Sequence, residues 1–364
     1  MASSNRSRYN KCYKNVLPYV ALISMECTNV GLNTLYKAAT LKGMSFQVFM
    51  VYCYALAAFL LLPAPFFSFR SRVLPPVNFS IISKTLFLGF IGCMAQILGY
   101  TGIIYSSPTL SSAISNLVPA FAFILAIIFR MEKLSFSTNS TRVKILGTIV
   151  SISGAFVVTL YKGPKIIWGL SPASHSPSVV SLGSSQHNWA LGGLLFTSEY
   201  ILLAMWYIVQ TQILKEYPAE LTLVFVYNLE VSIISAIVGA FTVSDSSSWR
   251  IKPDIALVSI LCSAVFGMCL NSGVHAWTLH LKGPLFVAMF KPTSIVVAIV
   301  MGVIFLGDDL YFGSVVGAMI LSIGFYMVMW GKAKEDTMKD DVVNSYVSST
   351  SRSPLLQYYK NEDE

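Results

Sequence analysis

Ser107-Pro108-Thr109-Leu110 opens the stretch from Ser107 to Gly163, and Gly283-Pro284-Leu285-Phe286 opens the stretch from Gly283 to Gly331. In both, a small residue and a proline lead into an apolar run that contains a second proline, Pro119 and Pro292. Each run ends at an acidic residue 24 positions after the first proline, Glu132 and Asp308, with a leucine two further on, Leu134 and Leu310. Another apolar run follows, carrying glycines seven apart: Gly147 and Gly154 in one copy, Gly317 and Gly324 in the other. Such self-similarity marks an internal repeat. Apolar segments interrupted by Pro or Gly at matching places in two halves point to a secondary transporter, with the substrate site where the halves meet. Coincidence is the competing account, because Gly and Pro are frequent in membrane helices.

Composition agrees with a lipid-embedded core. Of 364 residues, 55% are hydrophobic and only 12% charged, against about 25% charged in a soluble domain. The net charge of +8 is spread over short loops and tails, which fits membrane topology better than a nucleic-acid surface. Of the six cysteines, Cys27, Cys53, Cys93, Cys262 and Cys269 fall in apolar runs and Cys12 in the N-terminal tail. They show no metal-ligand spacing and read as small hydrophobes. The first apolar run follows a polar tail and is too long for a cleaved signal.

Ten spans are expected, roughly at 17–38, 45–67, 82–105, 108–130, 143–161, 190–213, 218–243, 254–279, 283–306 and 311–331. Runs of this length without period-two alternation exclude a barrel and leave helices. The expected fold is therefore an all-α membrane protein of ten transmembrane helices. An odd number of helices per half makes the two five-helix repeats inverted. Lys and Arg concentrate in the segments that share a side with the N-terminus, such as Arg6, Lys14, Arg70, Arg130, Lys215, Lys282 and Lys332. The positive-inside rule then places both termini in the cytosol. The expected division is a cytosolic tail over 1–16, a first repeat over 17–161, an external Ser-, Pro- and Gly-rich connection over 162–189, a second repeat over 190–331, and a disordered cytosolic tail over 332–364. The sequons at Asn5, Asn78 and Asn139 all fall on the inner side, where they are not glycosylated.

Charge inside the apolar runs is the sharpest local signal. Glu26 stands near the middle of the first span and Glu199 near the middle of the sixth, its partner in the repeat. A carboxylate at midplane costs about 3 kcal/mol on insertion scales, so such residues face a cavity or a partner and are candidates for proton coupling. The plainer alternative is a neutral Glu hydrogen-bonded to a neighbouring helix. Lys291 directly precedes Pro292, which removes a backbone hydrogen bond and frees a carbonyl. The pair marks either a broken helix whose cation meets a substrate carboxylate, or a lysine that snorkels to the interface. Asn116 and Pro119 occupy the matching region of the first repeat. Asn29 and Asn33 share the helix face of Glu26. Tyr100, Trp206, Gln210, Asn271 and His275 are further cavity candidates, although Tyr and Trp also form interfacial belts and a lone His is more often packing than a ligand.

Enzyme signatures are missing: there is no P-loop, nucleophile elbow, His-Glu-x-x-His motif or Rossmann fingerprint. Neither a cofactor nor a metal is expected.

Several motifs also resemble a known family. Ser106-Ser107-Pro108-Thr109-Leu110, Asn116-Leu117-Val118-Pro119-Ala120-Phe121 and Phe129-Arg130-Met131-Glu132-Lys133-Leu134 are similar to the first EamA domain of plant walls-are-thin-related (nodulin-like) proteins. Gly283 to Pro292, Gly302 to Asp308 and Gly324 to Lys332 are similar to the second, and Tyr217-Pro218-Ala219-Glu220-Leu221 also fits. The resemblance runs from about Leu17 to Glu335. It implies the drug/metabolite transporter superfamily: two inverted repeats, termini inside, and relatives that are bidirectional amino-acid facilitators or, in one branch, an auxin exporter. One departure stands out: where members often carry Arg after the second-helix tyrosine, Tyr52 is followed by Cys53. The expected function is transport of small polar organic solutes, amino acids or related organic acids, by alternating access in the plasma membrane, with vacuolar or endoplasmic reticulum membranes as alternatives. Oligomerisation is compatible with this reading. The alternative from another class is a membrane receptor or scaffold on a transporter-derived fold.

Overall fold

Apolar runs that cannot bond their backbone to lipid close their hydrogen bonds internally and become helices. The computed structural model describes residues 16–40, 42–71, 75–76, 78–105, 111, 114–131, 139–161, 163–167, 189–243, 245–251, 253–301 and 310–350. Its helices are α1 (Leu17–Thr40), α2 (Phe46–Leu61) continued by α3 (Ala64–Ser71), α4 (Phe79–Tyr105), α5 (Val118–Ile128), α6 (Asn139–Leu160), α7 (Trp189–Glu216) and α8 (Glu220–Thr242). Then come α9 (Ile255–Cys262), a π-helical stretch over Ser263–Asn271, α10 (Ser272–Lys282), α11 (Pro284–Ala288), α12 (Thr293–Met301) and α13 (Phe312–Thr350). Among the described residues, six helical segments are long and apolar enough to cross a membrane. The chain is an integral multi-pass protein, nearly all helical. Four expected spans are not among these six: α1 carries Glu26, Asn29 and Asn33, α6 carries Arg142 and Lys144, and the fourth and ninth spans run into residues outside the described ones, the ninth being interrupted as well between α11 and α12.

That interruption is the feature that positions the site. Gly283 takes φ +86°, a left-handed conformation open to glycine, and Pro284 then begins α11 in the first-turn position that tolerates it. At Pro292 the helical ladder fails. The Lys291 N–H donates to the Ala288 carbonyl at 3.1 Å and the Thr293 N–H to the Phe290 carbonyl at 3.0 Å. These tighter bonds of three-residue spacing bridge α11 and α12. The Ser294 hydroxyl donates to the Lys291 carbonyl at 2.6 Å and closes the turn.

Small residues set the helix packing. The glycines that mark the repeat meet across α6 and α13. A Cβ on Gly147 would meet the Gly324 carbonyl at 2.8 Å, one on Gly154 would strike the Leu321 amide, and one on Gly324 the Ser151 amide. A second glycine face runs along α4, where Gly99 and Gly102 receive Glu199 and Phe196 of α7, and Gly89 and Gly92 receive Glu230 and Tyr227 of α8. α2 packs along α8, α5 and α11 against α7, and α1 against α9, α10 and α12. The core joins Leu22, Leu88, Tyr207, Leu279, Phe286 and Phe290.

Two expectations change. The tail predicted as disordered from 332 continues instead as the last part of α13, to Thr350. A helix already nucleated by its membrane segment propagates at little cost, and no Gly or Pro follows Gly331 before Pro354. The 162–189 connection contains a short strand, β1 (Lys165–Ile167), paired antiparallel with β2 (Leu310–Tyr311). The Ser107-Pro108 dipeptide, the acidic pair Glu132 and Asp308, the tail over 1–15, most of the 162–189 connection and residues 351–364 lie outside the described residues.

Candidate functional site

Lys291 is carried at the break between α11 and α12, and its ammonium lies 3.9 Å from the carboxylate of Glu26 on α1. Glu26 is 2% exposed, whereas 31% of the Lys291 side chain remains accessible. The separation is at the outer limit of an ion pair, so the ammonium keeps room for a second acceptor. Glu199, Tyr200 and Tyr207 of α7 are its other electrostatic partners, and His275 of α10 also feels its charge. One helix of each expected half thus supplies a carboxylate to the same cation: Glu26 from the first, Glu199 from the second.

The surrounding groups are oriented. Asn29, one turn beyond Glu26, shares its helix face and lies within electrostatic reach of its carboxylate. The Glu199 carboxylate rests directly on Gly99, and its buried Oε2 has no hydrogen-bond partner among the described residues. Tyr200 and Ser111 share a hydroxyl–hydroxyl bond of 2.8 Å. The His275 ring stacks on Tyr207, nearly parallel, with centroids 6.3 Å apart. Its Nδ1 lies 2.9 Å from the Asn271 carbonyl. A carbonyl can only accept, so Nδ1 donates, and in the neutral ring Nε2 is left as acceptor.

The other residues singled out in the sequence scatter around this centre. Asn116 is fully buried and Pro119 begins α5, which packs against α7 and α11. Gln210 and Asn271 have buried side-chain oxygens with no hydrogen-bond partner among the described residues. Trp206 packs its ring against Tyr207 and Tyr227 instead of facing Lys291. Tyr100 stacks on Phe46 at 4.5 Å, within an aromatic layer that includes Tyr36 and Phe49. Asn33 is exposed. Cys53, the departure noted above, is fully buried against the Ile260 carbonyl and takes no part in the cluster.

Tyr200 and Tyr207 are the functional candidates that sequence reasoning misses. They stand seven apart on the helix of Glu199, a heptad spacing that puts both on one face, and that spacing is the signal that could identify them. Two polar contacts tie helix ends together beyond the site: the Lys84–Glu216 ion pair at 2.5 Å, and a hydrogen bond between His280 Nδ1 and Glu220 Oε1 at 2.7 Å. Among the described residues no three His, Cys, Asp or Glu side chains gather as a metal site. The arrangement has the chemistry of a dry ion-binding centre: one cation for a carboxylate, and two carboxylates for an ammonium or a proton.

No protein-family model matches this chain. Full-length relatives do. Three WAT1-related proteins of Arabidopsis thaliana are 56%, 49% and 46% identical, each over 96% of this chain and over 98%, 94% and 96% of their own lengths. A solved crystal structure, only 10% identical, superposes with a TM-score of 0.61 over 87% of this chain and 98% of its own. That likeness concerns the fold alone.

Proposed function

We propose, since this chain belongs to the WAT1-related family of plant membrane proteins, that it carries small polar organic solutes across a membrane, amino acids or related organic acids, by alternating access. The observation that carries this reading is Lys291 at a helix break, facing Glu26 from one half and Glu199 from the other. A solute carboxylate takes the open side of the Lys291 ammonium and loosens its contact with Glu26. The solute ammonium, or a proton, then satisfies a freed carboxylate. A zwitterionic solute, or an acid that arrives with a proton, leaves the net charge of the site unchanged, which a low-dielectric site favours.

Ten membrane helices in two inverted five-helix repeats suit this mechanism, because the halves can rock around a fixed centre. The packing supports that architecture. α2 lies along α8 and α6 along α13, and the contact of α4 with α7 is echoed by that of α1 with α9 and α10. A twofold relation between halves generates such pairings. The glycine-to-glycine crossing of α6 and α13 sits where its axis would pass.

Uptake by purified protein in liposomes, measured with labelled amino acids and labelled indole acids, tests the transport reading. Saturable uptake of at least one solute is expected. A folded protein that moves none of them favours the receptor or scaffold reading, to which the extension of α13 to Thr350 would lend a docking element.

Topology has its own test. The Lys/Arg bias puts both termini in the cytosol and the 162–189 connection outside. In intact cells Ser178→Cys is expected to react with an impermeant thiol reagent while Cys12 is protected. The reverse pattern would reject the orientation.

A further inference from the structure

A cavity of about 220 Å³ lies apart from Lys291, between the α1–α2 connection and the segment leading into α9. Its walls include Lys42, Gly43 and Met44 on one side and Ser248, Arg250, Ile251 and Asp254 on the other. Lys42 and Arg250 are exposed, and among the described residues neither is in a salt bridge. Asp254 is the third charge in the wall, and it is already engaged: one carboxylate oxygen caps α9 by accepting the Ala256 N–H at 2.8 Å. Two cations against one capping carboxylate leave the lining at +1, in addition to the partial positive charge of a helix N-terminus.

The cations are held by built loops. Lys42 sits in a turn closed by its own N–H to Ala39 at 3.1 Å and by the Gly43 N–H to Thr40 at 2.9 Å. Gly43 takes φ +91° there, which a side chain would resist. Opposite, the Trp249 carbonyl accepts the Tyr52 hydroxyl at 3.0 Å, and the Ser248 N–H donates to Asp245 at 3.1 Å. Apolar walls from Met44, Val48 and Ile260 lower the local dielectric and focus the field of the two cations.

From this geometry we infer that the cavity is a second binding site, a vestibule that captures a small carboxylate between Lys42 and Arg250. Its volume is below the 300–1,000 Å³ of drug-sized sites, which suits solutes of amino-acid or dicarboxylate size. The site deepens the transport reading, because it would collect the same carboxylate class that Lys291 is proposed to bind.

The test uses the full-length protein in lipid nanodiscs and measures no flux, so the vestibule and the transport reading can fail separately. Ser248→Cys places a thiol in the wall. Its rate of modification is read with an anionic sulfonatoethyl and a cationic trimethylammonioethyl methanethiosulfonate, each divided by that reagent's rate with a free thiol in solution, after subtracting the protein without this substitution. The anionic reagent is expected to react faster by on the order of tenfold, an advantage that high salt removes. Succinate should slow the reaction, and the neutral succinamide should not. Both effects should vanish in Lys42→Gln/Arg250→Gln and persist in Lys42→Arg/Arg250→Lys. Equal rates for the two reagents, no protection by succinate, or protection undiminished in the double Gln variant would each overturn the site.

Discussion

Lys291→Met is expected to lower the affinity for carboxylate-bearing solutes more than about a hundredfold, while the amount of folded protein falls far less. Among the described residues, Lys291 is the positive group that interacts with Glu26 and Glu199. Removing one member of a pair in a dry site costs on the order of 3 kcal/mol, and each 1.4 kcal/mol is a factor of ten in affinity. Met keeps the length of the aliphatic stem, so the packing at the α11–α12 break should survive. The variant leaves Glu26 buried without its cation, a defect that would itself reduce folding. Lys291→Met/Glu26→Gln therefore serves as the control: it should recover protein yield but not affinity. The measurement is concentration-dependent uptake normalised to folded protein by gel filtration. Unchanged apparent affinity would show that Lys291 only reaches for the interface.

Glu26→Gln should change selectivity rather than abolish transport. Gln keeps the size of Glu and its capacity to hydrogen-bond, but it can neither pair with an ammonium nor exchange a proton. A hydrogen bond to a charged group contributes about 1.5–3 kcal/mol. Zwitterionic amino acids should therefore bind roughly ten- to a hundredfold more weakly. Acids without an ammonium should bind as well or better, because Lys291 loses its internal competitor. The pH dependence of flux should flatten in parallel. Membrane insertion should be no worse, since a buried carboxylate is replaced by a neutral amide. Glu199→Gln should show the same trend more weakly if, as the pairing of Lys291 with Glu26 at 3.9 Å suggests, Glu26 holds the ammonium more tightly. Competition assays with alanine against propionate, in wild type and both variants, read the change. Identical selectivity and pH profile in Glu26→Gln would leave Glu26 a structural hydrogen-bonding residue.

The centre of this site is legible in the sequence because charge in an apolar run is rare and costly. Glu26, Glu199 and Lys291 announce themselves in that way. Pro292 announces the break, because proline cannot continue the hydrogen-bond ladder. Gly147, Gly154 and Gly324 foretell a close helix crossing, although not that they meet one another. What stays hidden depends on rotation about the helix axis. Tyr200 and Tyr207 lie within electrostatic reach of Lys291 while Trp206, one residue from Tyr207, packs on Tyr227. Apolar runs without a polar face carry no periodic signal to separate these orientations. The π-helical stretch over Ser263–Asn271 is equally silent, since its extra residue per turn reflects packing rather than composition. The continuation of α13 past its apolar part runs against its composition, which is rich in Asp, Ser, Thr and Val and reads as a loose tail. The pairing of β1 with β2 joins residues more than 140 positions apart, beyond any local pattern.

The central claim is that a single site, alternately open to either side, carries a carboxylate solute on Lys291. Counterflow measures this most directly. Liposomes containing the protein are loaded with labelled solute, and efflux is followed with and without the unlabelled solute outside. A carrier that returns faster when occupied should show efflux accelerated by external solute in wild type, with no acceleration in Lys291→Met. Efflux that ignores external solute in the wild type, or acceleration that persists without Lys291, would contradict the account.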